Sequence, residues 1–168
     1  MRVAVTGTPG TGKTTATDRA ETNLEVIHLN DVIREHGLTT GHDESRDSAV
    51  ADIDAVADWL AGREDVLFES HLAHSFEADR VVVLRCQPVT IETRLSERGE
   101  STDSIAENAE SEALDVILAE AVERHGRDRV YEIDTTDRSP EGVAAEIERV
   151  VAGEREPSAG TVDFTDYL

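Results

Sequence analysis

The chain has 168 residues, with 37 Asp and Glu against 16 Lys and Arg, for a formal net charge of -21. That length fits one domain around one core; the single cysteine, Cys86, excludes an intrachain disulfide and a Cys-rich metal site, and the negative field disfavours sequence-specific nucleic-acid binding by phosphate neutralisation. No apolar run approaches bilayer length, and Met1 leads directly into strand-like residues, so a soluble, cytoplasmic protein without a membrane segment is expected.

Arg2 to Thr6 reads as a first strand, rich in β-branched residues. It runs into the glycine-rich turn Gly7 to Thr14, after which a helix opens. Further strands are predicted at Glu25 to His28, Val66 to Glu69, Arg80 to Arg85 and Arg129 to Ile133. Between them, apolar residues recur at helical spacing: Ala49, Ile53, Val56 and Leu60; then Ala109, Ala113, Val116 and Val122; then Val143, Ile147 and Val150. Ser139 and Pro140 read as the cap and first residue of the last helix. Thr39 to Asp47 and Gly99 to Asp103 are polar, turn-rich and expected to be mobile inserts, and the acidic tail 154–168 lacks periodicity and is expected to be poorly ordered.

Alternation of this kind gives an α/β fold: a P-loop NTPase three-layer sandwich with a five-stranded parallel sheet and helices on both faces. Ligands of such sheets sit beyond the carboxyl ends of the strands. Those positions are Gly7 onward, Asn30 and Asp31, Glu69 to His71, Arg85, and Thr135 to Arg138.

Gly7-Thr8-Pro9-Gly10-Thr11-Gly12-Lys13-Thr14 satisfies G-x-x-x-x-G-K-[ST] without a mismatch, between a strand and a helix as the motif requires. Gly10 and Gly12 let successive N–H groups converge on phosphate oxygens, and the helix N-terminus adds its positive dipole end. Lys13 is expected to bridge the β- and γ-phosphates of ATP, Thr14 to offer its hydroxyl to Mg²⁺, and Thr15 to reach the α-phosphate. The alternative is a glycine turn that only caps a helix. Against it stands the placement of the chain's sole lysine, beside fifteen arginines, at the motif's lysine position. A regulatory GTPase would need an N-K-x-D loop, for which no second lysine exists.

Gly7 to Thr15, Ile27-His28-Leu29-Asn30-Asp31 with Arg34, Glu69-Ser70-His71, Val82-Val83-Leu84-Arg85, Arg94-Leu95-Ser96-Glu97-Arg98-Gly99, Glu107-Asn108 and Ala113 to Ala121 together resemble the adenylate kinase isoenzyme six family over roughly residues 1–125. The resemblance implies a broad-specificity nucleoside monophosphate kinase with some ATPase activity. It also implies a role in late maturation of the small ribosomal subunit, through transient contact with ribosomal protein uS11 and pre-30S particles. On that likeness the kinase domain spans 1–153, with a monophosphate-binding insert at about 28–52 and a lid at about 97–108.

Carried over residue by residue, the resemblance makes Arg34 the grip on the acceptor's α-phosphate and puts Asp31 at the monophosphate site, unless Asp31 only caps its helix. Arg94 and Arg98, four apart on one helix face, would close over the transferring phosphoryl group, the bland alternative being a solvated face paired with Glu92 and Glu97. Glu69 would order Mg²⁺ through water, and His71 would orient a water for hydrolysis; the family's eukaryotic members carry Asp where this chain has Glu69. Arg138 follows the last strand, where related kinases lay the adenine. His71 and His74 share an H-x-x-H spacing, but a zinc site would need further ligands, so His74 is read as a packing or loop residue. A kinase for a sugar acid or coenzyme precursor, or an assembly factor with vestigial transfer chemistry, remain the competing readings.

The acid is spread through every segment rather than blocked, so it reads as adaptation to a salt-rich cytoplasm more than as a docking surface for a basic partner. Molar salt shortens the Debye length to about 3 Å and screens the self-repulsion. Activity is therefore expected to need concentrated salt.

Overall fold

The computed structural model describes residues 1–44 and 48–168. Its strands are β1 (Arg2–Thr6), β2 (Glu25–His28), β3 (Thr39–Asp43), β4 (Ser48–Ala51), β5 (Val66–Glu69), β6 (Arg80–Arg85) and β7 (Val130–Asp134). Its helices are α1 (Lys13–Arg19), α2 (Leu29–His36), α3 (Ile53–Leu60), α4 (Pro88–Glu97), α5 (Thr102–Ala113), α6 (Val116–His125) and α7 (Pro140–Val151).

Val3, Ala4 and Val5 of β1 are all fully buried, because helices cover both faces of the sheet to which the strand is central. That sheet runs β2-β5-β1-β6-β7 with every neighbour parallel. On one face Ala4, Phe68, Val81 and Val83 pack with Val56 and Leu60 of α3 and Leu118 and Ala121 of α6. On the other, Val3, Val5, Val82 and Leu84 meet Ala16 of α1 and Val143, Ile147 and Val150 of α7. Each large side chain so buried contributes about 1.5–3 kcal/mol. Ser139 caps α7 through its side chain and Pro140 opens it, as the sequence predicts.

Three expectations need correction. Thr39 to Asp47, read as a turn-rich, mobile insert with no strand assigned to it, contains β3, which pairs antiparallel with β4 in a separate two-stranded hairpin; the part at 45–47 lies outside the described residues. Ala49, assigned to a helical row with Ile53, is on β4, and α3 begins at Ile53 under an Asp52 cap whose side chain accepts from the Ala55 N–H. The row Ala109, Ala113, Val116 and Val122 is divided between α5 and α6, because Asp115 takes φ 56°, a left-handed conformation that Asp tolerates better than most residues.

The acidic tail also differs from its expectation. Arg155 Nη2 donates to the Glu132 carbonyl at 2.8 Å, the Ser158 N–H to the Val130 carbonyl at 3.0 Å, and the Tyr167 hydroxyl to Glu92 Oε1 at 2.6 Å. β7 is an edge strand whose outer carbonyls would otherwise lack partners, and the tail supplies them. Absence of periodicity meant absence of an α-helix, not of contacts.

Candidate active site

The carboxyl ends of β1 and β5, with Asn30 just after β2, face one cleft of about 670 Å³, and the turn Gly7 to Thr14 forms its floor. Backbone proximity imposes Gly7: a Cβ there would lie 2.7 Å from the Leu84 carbonyl oxygen. Conformation imposes Gly12, at φ +90° with open space around it, immediately before α1. Three side chains from outside the turn brace it. Arg94 Nη1 donates to the Gly10 carbonyl at 2.9 Å, Thr135 Oγ to the Thr11 carbonyl at 3.1 Å, and Thr8 itself donates to Glu112 Oε2 at 2.6 Å.

Lys13 is buried, its Nζ donating to the carbonyls of Gly7 at 2.9 Å and Thr8 at 3.2 Å. Burial pushes its pKa down to about 8, opposed by the Glu69 carboxylate and helped by the Arg98 guanidinium. Thr14 Oγ donates to Glu69 Oε1 at 3.0 Å. Two hard oxygen donors thus stand together, the set expected for a Mg²⁺ that completes its shell with phosphate oxygens and water. Glu69 Oε1 also lies 2.7 Å from His28 Nδ1, whose other ring nitrogen is 2.7 Å from Asp18 Oδ1. Burial alone would lower the His28 pKa, but the hydrogen bonds to Glu69 and Asp18 outweigh it and raise the value. The sequence reading places His28 only at the edge of an insert. Its position as the last residue of a strand was the signal that it stands beside Glu69, the last residue of the neighbouring strand.

His71 is on the cleft wall with its pKa lowered to about 4, chiefly by burial and further by the nearby Lys13 charge, so it is neutral near pH 7. His74 is held on both ring nitrogens: its Nε2 donates to Glu120 Oε2 at 2.8 Å and its Nδ1 accepts from Thr6 Oγ at 2.7 Å. That is the loop-holding role expected for it.

Arg94 and Arg98 part company. Arg94 is partly buried against the turn's backbone, whereas Arg98 is exposed at the border between the main cleft and a pocket of about 260 Å³ that Thr15, Arg138 and Val143 also line. Arg138 reaches that pocket while pairing with Glu146 at 3.6 Å. On the opposite side a groove of about 910 Å³, lined by Ile33, Arg34, Val50 and Ile53, joins the main cleft at Asn30, His71 and Leu72. Arg34 is exposed there and held by Asp31 at 2.7 Å. Asp31 is not the cap of α2, which begins at Leu29 with His28 in the cap position; it lies in the first turn and acts on the groove through Arg34. Among the described residues no helix is long and apolar enough to cross a membrane.

The Lys13 value carries a sign. Its ammonium is present below about pH 8 and lost above it, so ATP affinity is expected to fall as pH rises from about 7 to about 9 while the already neutral His71 contributes nothing over that interval. Calorimetric titration at fixed ionic strength measures this, and an affinity flat across the interval would contradict it.

A family model described as an AAA domain matches residues 3–115. Proteins named "Putative adenylate kinase" from Natronomonas pharaonis and Halobacterium salinarum are 66% and 64% identical to the chain, each alignment covering 100% of both sequences. A protein of the same name from Methanosarcina acetivorans is 40% identical, again over 100% of both. Among solved structures, shikimate kinase from Acinetobacter baumannii in complex with shikimate superposes with a TM-score of 0.63 at 15% identity, covering 92% of this chain and 94% of that one. Shikimate kinase from Bacteroides thetaiotaomicron gives 0.57 at 17% identity, covering 90% and 98%. At that identity the likeness is one of fold.

Proposed function

The chain belongs to the AAA-domain family and, within it, to the archaeal proteins that share the adenylate kinase name, and from that premise we propose that it transfers the γ-phosphate of ATP to AMP or another nucleoside monophosphate. The observation that carries this is the continuity of two sites: a phosphate-binding turn with Lys13, Thr14 and Glu69, and a groove ending at Arg34, which meet at Asn30, His71 and Leu72. Phosphoryl transfer asks little covalent work of a protein; it asks that donor and acceptor be aligned and their charge neutralised.

Lys13 and the backbone N–H groups of the turn hold the β- and γ-phosphates. Thr14 and Glu69 would hold Mg²⁺, which neutralises charge on those phosphates when bound. Arg34 exchanges its Asp31 partner for the acceptor's α-phosphate. Arg98 supplies a guanidinium over the transferring group and Arg94 keeps the Gly10 carbonyl in place beneath it. Thr15, Arg98 and Arg138 line the pocket for the donor's nucleoside. The insert at about 28–52 and the lid at about 97–108 are the segments that close around the two nucleotides.

A panel of acceptors with ATP at molar salt, coupled to ADP production, tests this reading. Turnover with AMP or other monophosphates is expected; turnover only with a sugar acid or coenzyme precursor would move the chain to a different kinase class. The fold likeness to shikimate kinases makes that arm informative.

ATP hydrolysis is a second activity of the same cleft, favoured by a neutral imidazole beside the phosphate floor. His71, neutral and able to accept a hydrogen bond from water, orients it toward the γ-phosphate when no acceptor is bound. His71→Asn should lower acceptor-independent phosphate release by about 10²-fold while leaving transfer to AMP within a few-fold; equal losses in both rates would contradict the assignment. Service in pre-30S maturation through uS11 is carried by the resemblance alone. Pull-down of uS11 with and without ATP tests it. The halophile relatives support adaptation to concentrated salt as the source of the net charge of -21.

A further inference from the structure

Glu112, the penultimate residue of α5, is 3% exposed and has both carboxylate oxygens engaged. Oε1 accepts from Arg85 Nε at 2.8 Å and from the Cys86 N–H at 3.0 Å, which ties it to the carboxyl end of β6. Oε2 accepts from the Thr8 hydroxyl at 2.6 Å, inside the phosphate-binding turn. A buried carboxylate is costly unless paired and hydrogen-bonded; here the pairing is complete, and only one of its bonds serves anything beyond the packing of α5 on β6.

Thr8 is the junction of that turn. Its carbonyl accepts from the Thr11 N–H at 3.2 Å, the Thr11 hydroxyl at 2.9 Å and Lys13 Nζ at 3.2 Å. Fixing the Thr8 side chain therefore fixes the backbone to which the lysine and the crown of the turn are referred. The other end of the same helix, at Ser104, Glu107 and Asn108, lines the roof of the cleft. One helix thus carries both cleft-lining residues and, at Glu112, the bond to the turn.

We propose that Glu112 is a positioning residue for nucleotide binding: through the Thr8 hydroxyl it sets the phosphate-binding turn in register with the helix that roofs the cleft. The inference rests on the reading of the turn as an ATP site. Glu112 touches no substrate in this scheme, and its effect on ATP passes through Thr8.

Thr8→Val keeps the shape and the Arg85–Glu112 pair but removes the hydroxyl, Thr8→Ser keeps the hydroxyl, and Glu112→Gln keeps an acceptor for Arg85. Calorimetric titration of each folded variant with ATP and Mg²⁺ at molar salt is the test. Thr8→Val is expected to raise Kd about tenfold, equivalent to about 1.4 kcal/mol, with Thr8→Ser within about twofold of the wild type. Glu112→Gln should weaken binding in the same direction, and the double variant Thr8→Val/Glu112→Gln should lose no more than the worse single one. A purely structural role would lower the unfolding midpoint without moving Kd, and unchanged Kd in Thr8→Val, or additive losses in the double variant, would overturn the proposal. Wild-type protein that binds no ATP would instead remove the underlying nucleotide reading, a result distinguishable because it appears before any variant is made.

Discussion

Replacing Lys13 with alanine is expected to reduce kcat/KM for phosphoryl transfer by a factor on the order of 10³ or more, about 4 kcal/mol of transition-state stabilisation. Lys13 is the sole lysine of the chain, and two arginines of the site have partners of their own: Arg94 is committed to the Gly10 carbonyl and Arg34 to Asp31. Its Nζ rests on the Gly7 and Thr8 carbonyls, both within the turn, so the ammonium is already held where phosphate oxygens would meet it. Hydrolysis should fall with transfer, since both reactions develop charge on the same γ-phosphate. Steady-state kinetics with the folded variant check this; turnover within about tenfold of the wild type would remove Lys13 from the mechanism.

Arg85→Leu should be strongly destabilising. The guanidinium is 1% exposed and donates to Glu112 at 2.8 Å and Glu132 at 2.7 Å, with Asp115 as a third carboxylate partner and the Phe164 ring 5.4 Å away. Removing the one cation leaves carboxylates buried without a counter-charge, a change that costs about 3–5 kcal/mol against a total stability of about 5–15 kcal/mol for a domain. Denaturant unfolding at molar salt measures it, with Arg138→Ala as the control: that arginine is 46% exposed in its pairing with Glu146, and its loss should fall within about 1 kcal/mol. Equal midpoints for the two variants would show that the buried cluster holds nothing together.

The fold was readable because its strands are covered on both faces. Each therefore appears as a short run dominated by apolar residues, most of them β-branched, and only β7 is displaced, by one residue, from its predicted Arg129–Ile133. The phosphate turn was readable for a related reason: backbone conformation and close approach dictate its glycines, and such demands leave a fixed spacing. What was not readable depended on partners distant in sequence. β3 is Thr39–Asp43, almost wholly exposed and without the alternation that marks a half-buried strand. The tail's bonds go to β7 and α4, which composition cannot report.

The buried ion cluster left a trace that was available. Glu112 falls three residues after Ala109, on the buried face of its helix, and Glu132 interrupts a row of buried strand residues. A charged residue at an apolar register position signals a buried partner, and Arg85 at a strand's carboxyl end was already singled out. Spacing alone could not say that Arg94 would brace the turn while Arg98 stayed free to move, because four residues of separation place both on one face whatever each then touches.

Transfer of a radiolabelled γ-phosphate from ATP in the presence and absence of AMP, at molar salt with Mg²⁺, tests the central claim most directly. The account predicts that label moves onto AMP to give labelled ADP, with little free phosphate while acceptor is present. Label released only as inorganic phosphate, at the same rate with or without AMP, would contradict it.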